Sequence, residues 1–276
     1  MMVQPEIDVF VVNYLTPELA AVAVDKVCGP GVQVQVYDNS GDYVAGAGEA
    51  GVHTPDQNDY FAHGNNFWWA RTSAPYVLLL NPDVELSYAD LLRLRLILDE
   101  RPELWGVAPR LVYPDGRQQN YLQRLPTPAA ALADRFAPAR RIFRRAYADF
   151  FCAGLDLGQE QVAEQPPAAC LLLRRSAVGE HLFDEAYRLY FNDTDLARRL
   201  NRNGHCLYTP AITAVHHKSA SLDRADAARP YTVVREYDRS FARYARQQGT
   251  PAWLALSVLF RLRAAMGSVL VAVNSS

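Results

Sequence analysis

Tyr76-Val77-Leu78-Leu79-Leu80 is an apolar run that stops at Asn81-Pro82-Asp83. A Val- and Leu-rich run of this length, closed by turn residues, predicts a strand buried on both faces whose carboxyl end emerges at a turn. In open α/β sheets ligands bind at that end of the strands, so Asp83 becomes the first candidate site residue. A plainer role competes with it: Asp83 or Ser87 would cap a helix beginning near Tyr88.

The rest of the chain repeats the pattern. Asp8 to Asn13 is β-rich, Thr16 and Pro17 read as N-cap and first residue of a helix to about Val27, and Val32 to Tyr37 is a second strand ending in Asp38-Asn39-Ser40-Gly41. Strand, helix, strand with short connections implies a right-handed crossover and a parallel pair. Both strands then deliver their loops to one edge. Gly46, Gly48 and Gly51 match the dinucleotide-binding glycine spacing, but no strand leads into them and no helix follows, so they read as a flexible surface loop. A helix is expected from about Asn66 to Thr72, another from Tyr88 to Glu100, and strands at Trp105–Val112 and Ala168–Arg175. Arg117 to Phe151, rich in Pro, Ala and Arg, reads as a solvated excursion, with a lid or basic surface near an anionic partner as the functional alternative. Leu196 to Asn203 is a helix closed by Gly204, followed by short strands that end at His216-His217.

At 276 residues the chain suits one large α/β domain with an appendage, and its formal net charge of -2 gives no general attraction to nucleic acid. The four cysteines, Cys28, Cys152, Cys170 and Cys206, form no Cys-x-x-Cys pair, which argues for reduced thiols rather than a zinc site or disulfide framework. The first residues lack the basic and apolar regions of a signal peptide, and a cytoplasmic location is expected.

Asp38, Asp83, Asp193 and His216-His217 all stand at element ends. Acids converging on one sheet edge suit a hard cation, Mg²⁺ or Mn²⁺, shared with a diphosphate. The order of motifs resembles family 2 of the inverting glycosyltransferases, within it the bacterial rhamnosyltransferase-like branch. The matching pieces are Val11-Val12-Asn13-Tyr14, Val36-Tyr37-Asp38-Asn39-Ser40, Asn58 through Asn66, Leu80-Asn81-Pro82-Asp83, Ala168 through Arg175, Phe183-Asp184-Glu185, Asn192-Asp193-Thr194-Asp195-Leu196, and His216 with Ser221.

The resemblance implies an α/β GT-A fold: a mostly parallel central sheet flanked by helices, with a helical C-terminal extension. It divides the chain into a catalytic domain at 1–222, its nucleotide-sugar half at 1–112 and acceptor half at 113–222, and an extension at 223–276. Asp193 is implied as the catalytic base. Asn13, Asp38, Asn66, Asn81 and Asp83 are implied in nucleotide-sugar binding, and Asp83 with His216, or His217 as alternate, in metal binding. Asn81 stands where the family has the first acid of its Asp-x-Asp motif, and Asn192 where it has Glu beside the base. The implied donor is a nucleoside-diphosphate sugar, dTDP-rhamnose or a UDP-hexose, and the acceptor a glycan or lipid-linked glycan in bacterial surface polysaccharide synthesis. A non-catalytic nucleotide-sugar-binding relative and, from another class, a glycoside hydrolase are the alternatives. Ser257, Arg261 and Ser268 fall near one helical face of the apolar stretch 251–273, which suits either peripheral contact with the inner face of the cell membrane or packing on the domain or in a homodimer.

Overall fold

A computed structural model describes residues 5–217 and 230–274. Its first half is a β/α alternation: β1 (Ile7–Asn13), α1 (Pro17–Val27), β2 (Val32–Asp38), β3 (Glu49–His53), α2 (Tyr60–Trp69), β4 (Tyr76–Leu80), β5 (Val84–Glu85), α3 (Tyr88–Glu100) and β6 (Leu104–Val112). The helices α4 (Pro128–Arg135), α5 (Ala137–Ile142) and α6 (Arg144–Phe150) follow, then β7 (Gln161–Ala163), β8 (Cys170–Arg174), α7 (Arg175–Val178), α8 (Asn192–Leu200) and β9 (His205–His216). Two long helices close the described chain, α9 (Pro230–Gln248) and α10 (Pro251–Asn274).

All the strands join one sheet in the order β3-β2-β1-β4-β8-β6-β9-β5, with β7 on β9. It is parallel from β3 to β4 and again between β6 and β9, while β8 runs antiparallel to both β4 and β6. The reversal at β8 puts its amino end beside the carboxyl end of β4, where Leu80 pairs with Cys170. Thus the loop before β8 reaches the same edge as the loops after β1, β2 and β4.

The strand β4 is buried on both faces. Tyr76, Leu78 and Leu80 join the core under α1 and α3, and Val77 and Leu79 the core on the α8 side. Burying each Leu side chain contributes roughly 1.5–3 kcal/mol, so the sheet centre fixes the edge rigidly. A third core joins α9 and α10 to the domain through Phe241, Tyr244, Trp253 and Phe260 packed with Tyr187, Phe191 and Ala131.

Several expectations are revised. Residues 49–53 are not a surface loop: they form β3, parallel to β2, and a Cβ at Gly51 would lie 2.5 Å from Gln35 Oε1 and 3.1 Å from Trp68. The helix α2 begins at Tyr60, a turn and a half before Asn66. Residues 117–151 hold three helices, the first capped by Thr127 Oγ1 accepting from the Ala130 N–H at 3.2 Å. In α10, Ser257 is not on an exposed polar face; it is buried and donates to the Ala242 carbonyl at 2.7 Å. Among the described residues no helix is long and apolar enough to cross a membrane. The four cysteines are free. The expected boundary at 222/223 and Ser221 lie outside the described residues.

Candidate functional site

The carboxyl end of β4 turns through Asn81 and Pro82, with the Val84 N–H donating to the Asn81 carbonyl at 3.1 Å. Ser87, not Asp83, caps α3: its Oγ accepts from the Asp90 N–H at 3.1 Å and donates to the Asp90 carboxylate at 2.8 Å. That frees Asp83, which is 5% exposed. Its Oδ1 lies 3.6 Å from His216 Nε2, because Val84 pairs with His216 at the end of β9 and the His217 N–H donates to the Asp83 carbonyl.

The state of His216 follows from Gln119, a buried residue that sequence reading left in the solvated excursion. Gln119 Nε2 donates to the His216 carbonyl at 2.7 Å, so its Oε1, 2.9 Å from His216 Nδ1, accepts a proton from that nitrogen. In the neutral ring Nε2 then carries the lone pair and faces an acceptor oxygen of Asp83. Either a proton on Nε2, which makes an ion pair with Asp83, or a cation held between the two atoms satisfies this geometry. A carboxylate oxygen and an imidazole nitrogen, with an outer hydrogen bond fixing the ring, fit a divalent cation of the Mn²⁺ or Mg²⁺ kind. Among the described residues no group of three or more His, Cys, Asp or Glu gathers for a metal, so phosphate oxygens or water would complete the shell. His217 points elsewhere: its Nε2 lies 2.7 Å from Glu85, which also pairs with Lys26 at 2.6 Å. Hydrogen bonds from Lys26 and then His217 hold the Glu85 carboxyl below its usual range.

Asn13 and Asp38, partners in the β1–β2 register, are both buried. Asn13 Nδ2 donates to Asp38 at 2.8 Å and to Asp42 at 2.9 Å, while its Oδ1 accepts from Thr16. Asp38 also accepts from the Ser40 and Tyr43 N–H groups at 3.2 and 2.9 Å. Both side chains are consumed in shaping the 38–43 loop. Asn66 is likewise a strut: it donates to the Phe183 carbonyl and Glu185 carboxylate and accepts from the Phe183 N–H, clamping α2 to the 183–185 loop. Glu185, quoted in a motif but given no role by sequence reading, takes a further hydrogen bond from His63 at 3.0 Å.

Asp193 occupies the first turn of α8, whose N-cap position is Phe191. Its Oδ1 accepts from the Thr194 N–H at 2.8 Å. Burial pushes its carboxyl above the ordinary value, against backbone hydrogen bonds that include Thr194 and Ala168. The latter links the two halves of the site: Ala169, next to Ala168, accepts from the Asn81 N–H at 2.8 Å, and Asn81 is two residues from Asp83. Asp195, two residues on, is engaged by Arg198 at 2.8 Å and Arg199 at 3.0 Å. Asn192 is 3% exposed and neither polar atom of its amide has a hydrogen-bond partner.

Three non-glycine residues hold left-handed backbone at this edge: Leu15 after β1, Tyr60 at the start of α2 and Phe191 before α8, with φ of 60°, 67° and 68°. Such conformations cost of order 1–3 kcal/mol each and cluster at functional sites.

No family model matches the chain. A 165-residue stretch, 55% of the chain and 50% of the relative, is 30% identical to N-acetylglucosaminyl-diphospho-decaprenol L-rhamnosyltransferase of Mycobacterium tuberculosis. A 166-residue stretch, 59% of the chain and 17% of the relative, is 31% identical to the uncharacterized protein y4gI of Sinorhizobium fredii. The chain thus spans half or less of the length of these curated relatives. Among solved structures, the mannosyltransferase PcManGT from Pyrobaculum calidifontis, in complex with GDP-Man and Mn²⁺, superposes over 99% of this chain and 80% of its own with TM-score 0.52 at 13% identity. The fold is the GT-A fold of such glycosyltransferases. TarS 1-349 of S. aureus also superposes, covering 86% of this chain and 65% of its own with TM-score 0.51 at 12% identity. In this GT-A frame, the edge carrying Asp83, His216 and Asp193 is the carboxyl edge of the parallel strands β1, β2 and β4, extended by the loops before β8 and α8.

Proposed function

We propose that the protein is an inverting glycosyltransferase that moves a sugar from a nucleoside-diphosphate donor, dTDP-rhamnose or a UDP-hexose, to a glycan or lipid-linked acceptor of a bacterial surface polysaccharide. The observation that carries this reading is the approach of Asp83 to His216 Nε2, 3.6 Å apart at the sheet edge, with Asp193 tied to the same edge through Ala168 and Asn81. The rhamnosyltransferase named above and the GDP-Man and Mn²⁺ complex of the structural neighbour support donor and acceptor classes of this kind.

Asp83 and His216 hold a divalent cation in this reading, with Gln119 orienting the imidazole. When bound, the cation supplies positive charge to the departing diphosphate. Asp193 takes the proton from the acceptor hydroxyl as that oxygen attacks the anomeric carbon, and its raised carboxyl makes it the stronger base. Asn13 and Asp38 fix the loop that receives the nucleotide, and Asn66 and Glu185 hold α2 against the 183–185 segment. Asn81 presents its backbone to the β8 loop beside the cation pair. Residues 1–112 form the donor half and 113–222 the acceptor half, with 223–276 as the extension.

Thermal shift with UDP, dTDP and GDP, each with and without Mn²⁺, tests the reading. Metal-dependent stabilisation by a nucleotide is expected, together with transfer or slow hydrolysis of the matching sugar nucleotide. A glycoside hydrolase would respond to no nucleotide. The neutral Asn192 beside Asp193 favours a second reading, a nucleotide-sugar-binding relative without turnover; binding with neither transfer nor donor hydrolysis would select it.

A further inference from the structure

The turn from α5 to α6 reads Arg140-Arg141-Ile142-Phe143-Arg144-Arg145. Ile142 is 75% exposed and Phe143 37%, and all four arginines are exposed. Arg140 belongs to the fold: its guanidinium donates to the Ala133 and Asp134 carbonyls and lies over the Tyr147 ring at 4.5 Å. Among the described residues, the side chains of Arg141, Arg144 and Arg145 make no ion pair or hydrogen bond. Residues 128–151 hold five arginines against two aspartates, on a chain whose net charge is -2. Asp134 is already paired with Arg135. Positive charge is therefore concentrated here against the balance of the whole chain.

Folding does not account for this tip. An isoleucine three-quarters exposed between unpaired guanidinium groups buries no core and neutralises no acid. Its support, by contrast, is firm: Phe136, where α5 starts, meets the Phe260 ring of α10 at 6.0 Å and lies under the Arg263 guanidinium at 5.7 Å. The same helix α10 leaves Leu254, Val258 and Leu262 exposed, spaced four residues apart on one face. A nucleic acid would satisfy the arginines but give Ile142 no aliphatic partner. A bilayer with anionic headgroups satisfies both, because guanidinium groups bind phosphate oxygens while aliphatic and aromatic side chains enter the acyl boundary.

We propose that residues 140–145 form a docking surface for an anionic lipid bilayer, with Arg141, Arg144 and Arg145 on lipid phosphates and Ile142 and Phe143 in the acyl boundary. This surface is separate from the Asp83–His216 edge, and its test does not involve transfer.

Flotation of the full chain with vesicles of phosphatidylglycerol and phosphatidylcholine, against phosphatidylcholine alone, reads the contact directly. The chain is expected to float with the mixed vesicles only and to be released by salt. The variant carrying Arg141→Glu, Arg144→Glu and Arg145→Glu is expected to lose roughly a hundredfold in partition, about fivefold per arginine. Ile142→Ser with Phe143→Ser is expected to weaken partition at every salt concentration. The triple arginine variant should keep the parent unfolding temperature, since these three guanidinium groups pair with nothing among the described residues. Failure of the parent chain to float, or undiminished flotation of the triple variant, overturns the proposal. Retention on heparin without flotation overturns it in favour of a non-lipid polyanion. Loss confined to Val258→Ser with Leu262→Ser moves the contact to α10 and overturns it as well.

Discussion

At the scale of single residues, Asp193 combines a catalytic assignment with a cost to stability. Its carboxyl is raised by burial, so the folded chain holds that proton more tightly than the unfolded chain does. Stability from this group is complete below the ordinary carboxylate range and declines as pH rises through the folded value. Asp193→Asn removes the decline. The variant is expected to lose transfer by about 10²–10⁴-fold while melting no lower than the parent at about pH 7, with less advantage near about pH 3.5. Melting curves at the two pH values check this, and equal loss of donor affinity would count against the base assignment. Gln119→Leu keeps the bulk but removes both hydrogen bonds to His216. About 10–100-fold weaker Mn²⁺ binding by titration calorimetry is expected, and unchanged affinity would remove Gln119 from the site. Asp83 was legible in the sequence because an apolar run ends there. Gln119 was not, since a polar residue after a turn carries no signal until β9 folds back beside it. Asp38 was found as an acid at an element end, and Asn13 and Asn66 through the resemblance, but a sequence does not reveal that their hydrogen bonds are spent within the protein.

At the scale of elements, the α3 cap separates two roles that the sequence left open. Ser87→Ala is expected to cost about 1 kcal/mol, lowering Tm by roughly 2–4 °C, and to leave any metal-dependent nucleotide response intact. Asp83→Ala is expected to do the reverse: abolish that response with little loss beyond its own contacts. Thermal shift on the pair reads both effects. Strands and helices with strong periodicity, such as β1, β4 and α3, were legible. The strand β3 was not, because its glycine serves a close approach to Gln35 and Trp68 that exists only in the sheet. The helices α4 to α6 escaped notice because each is short, α4 mostly alanine and α5 and α6 carrying adjacent arginines, so none shows a full apolar period. The left-handed residues Leu15, Tyr60 and Phe191 carry no glycine to announce them.

At the scale of the whole molecule, the α/β alternation and the convergence of loops on one edge were legible, but the reversal of β8 was not. A buried apolar run reads the same in either direction; only its neighbours β4 and β6 fix the sense. The helices α9 and α10 were read as an appendage, yet their core includes Phe191 and Tyr187, and Arg243 pairs with Asp184 at 2.7 Å. Ending the chain at Thr250 removes Trp253, Leu256 and Phe260 from that core. The shortened chain is expected to melt lower and lose donor turnover although no proposed site residue is deleted; circular dichroism and a turnover assay check this, and full turnover would detach the extension from the site.

Phe191 therefore works as a hinge pin. Its ring is seated among Tyr237, Phe241 and Tyr244, while its backbone, at φ 68°, sets the direction in which Asn192 and Asp193 leave for α8. Any force that shifts α9 is delivered one residue from Asn192 and two from Asp193, so the aim of the proposed base is set by helices that lie outside the sheet.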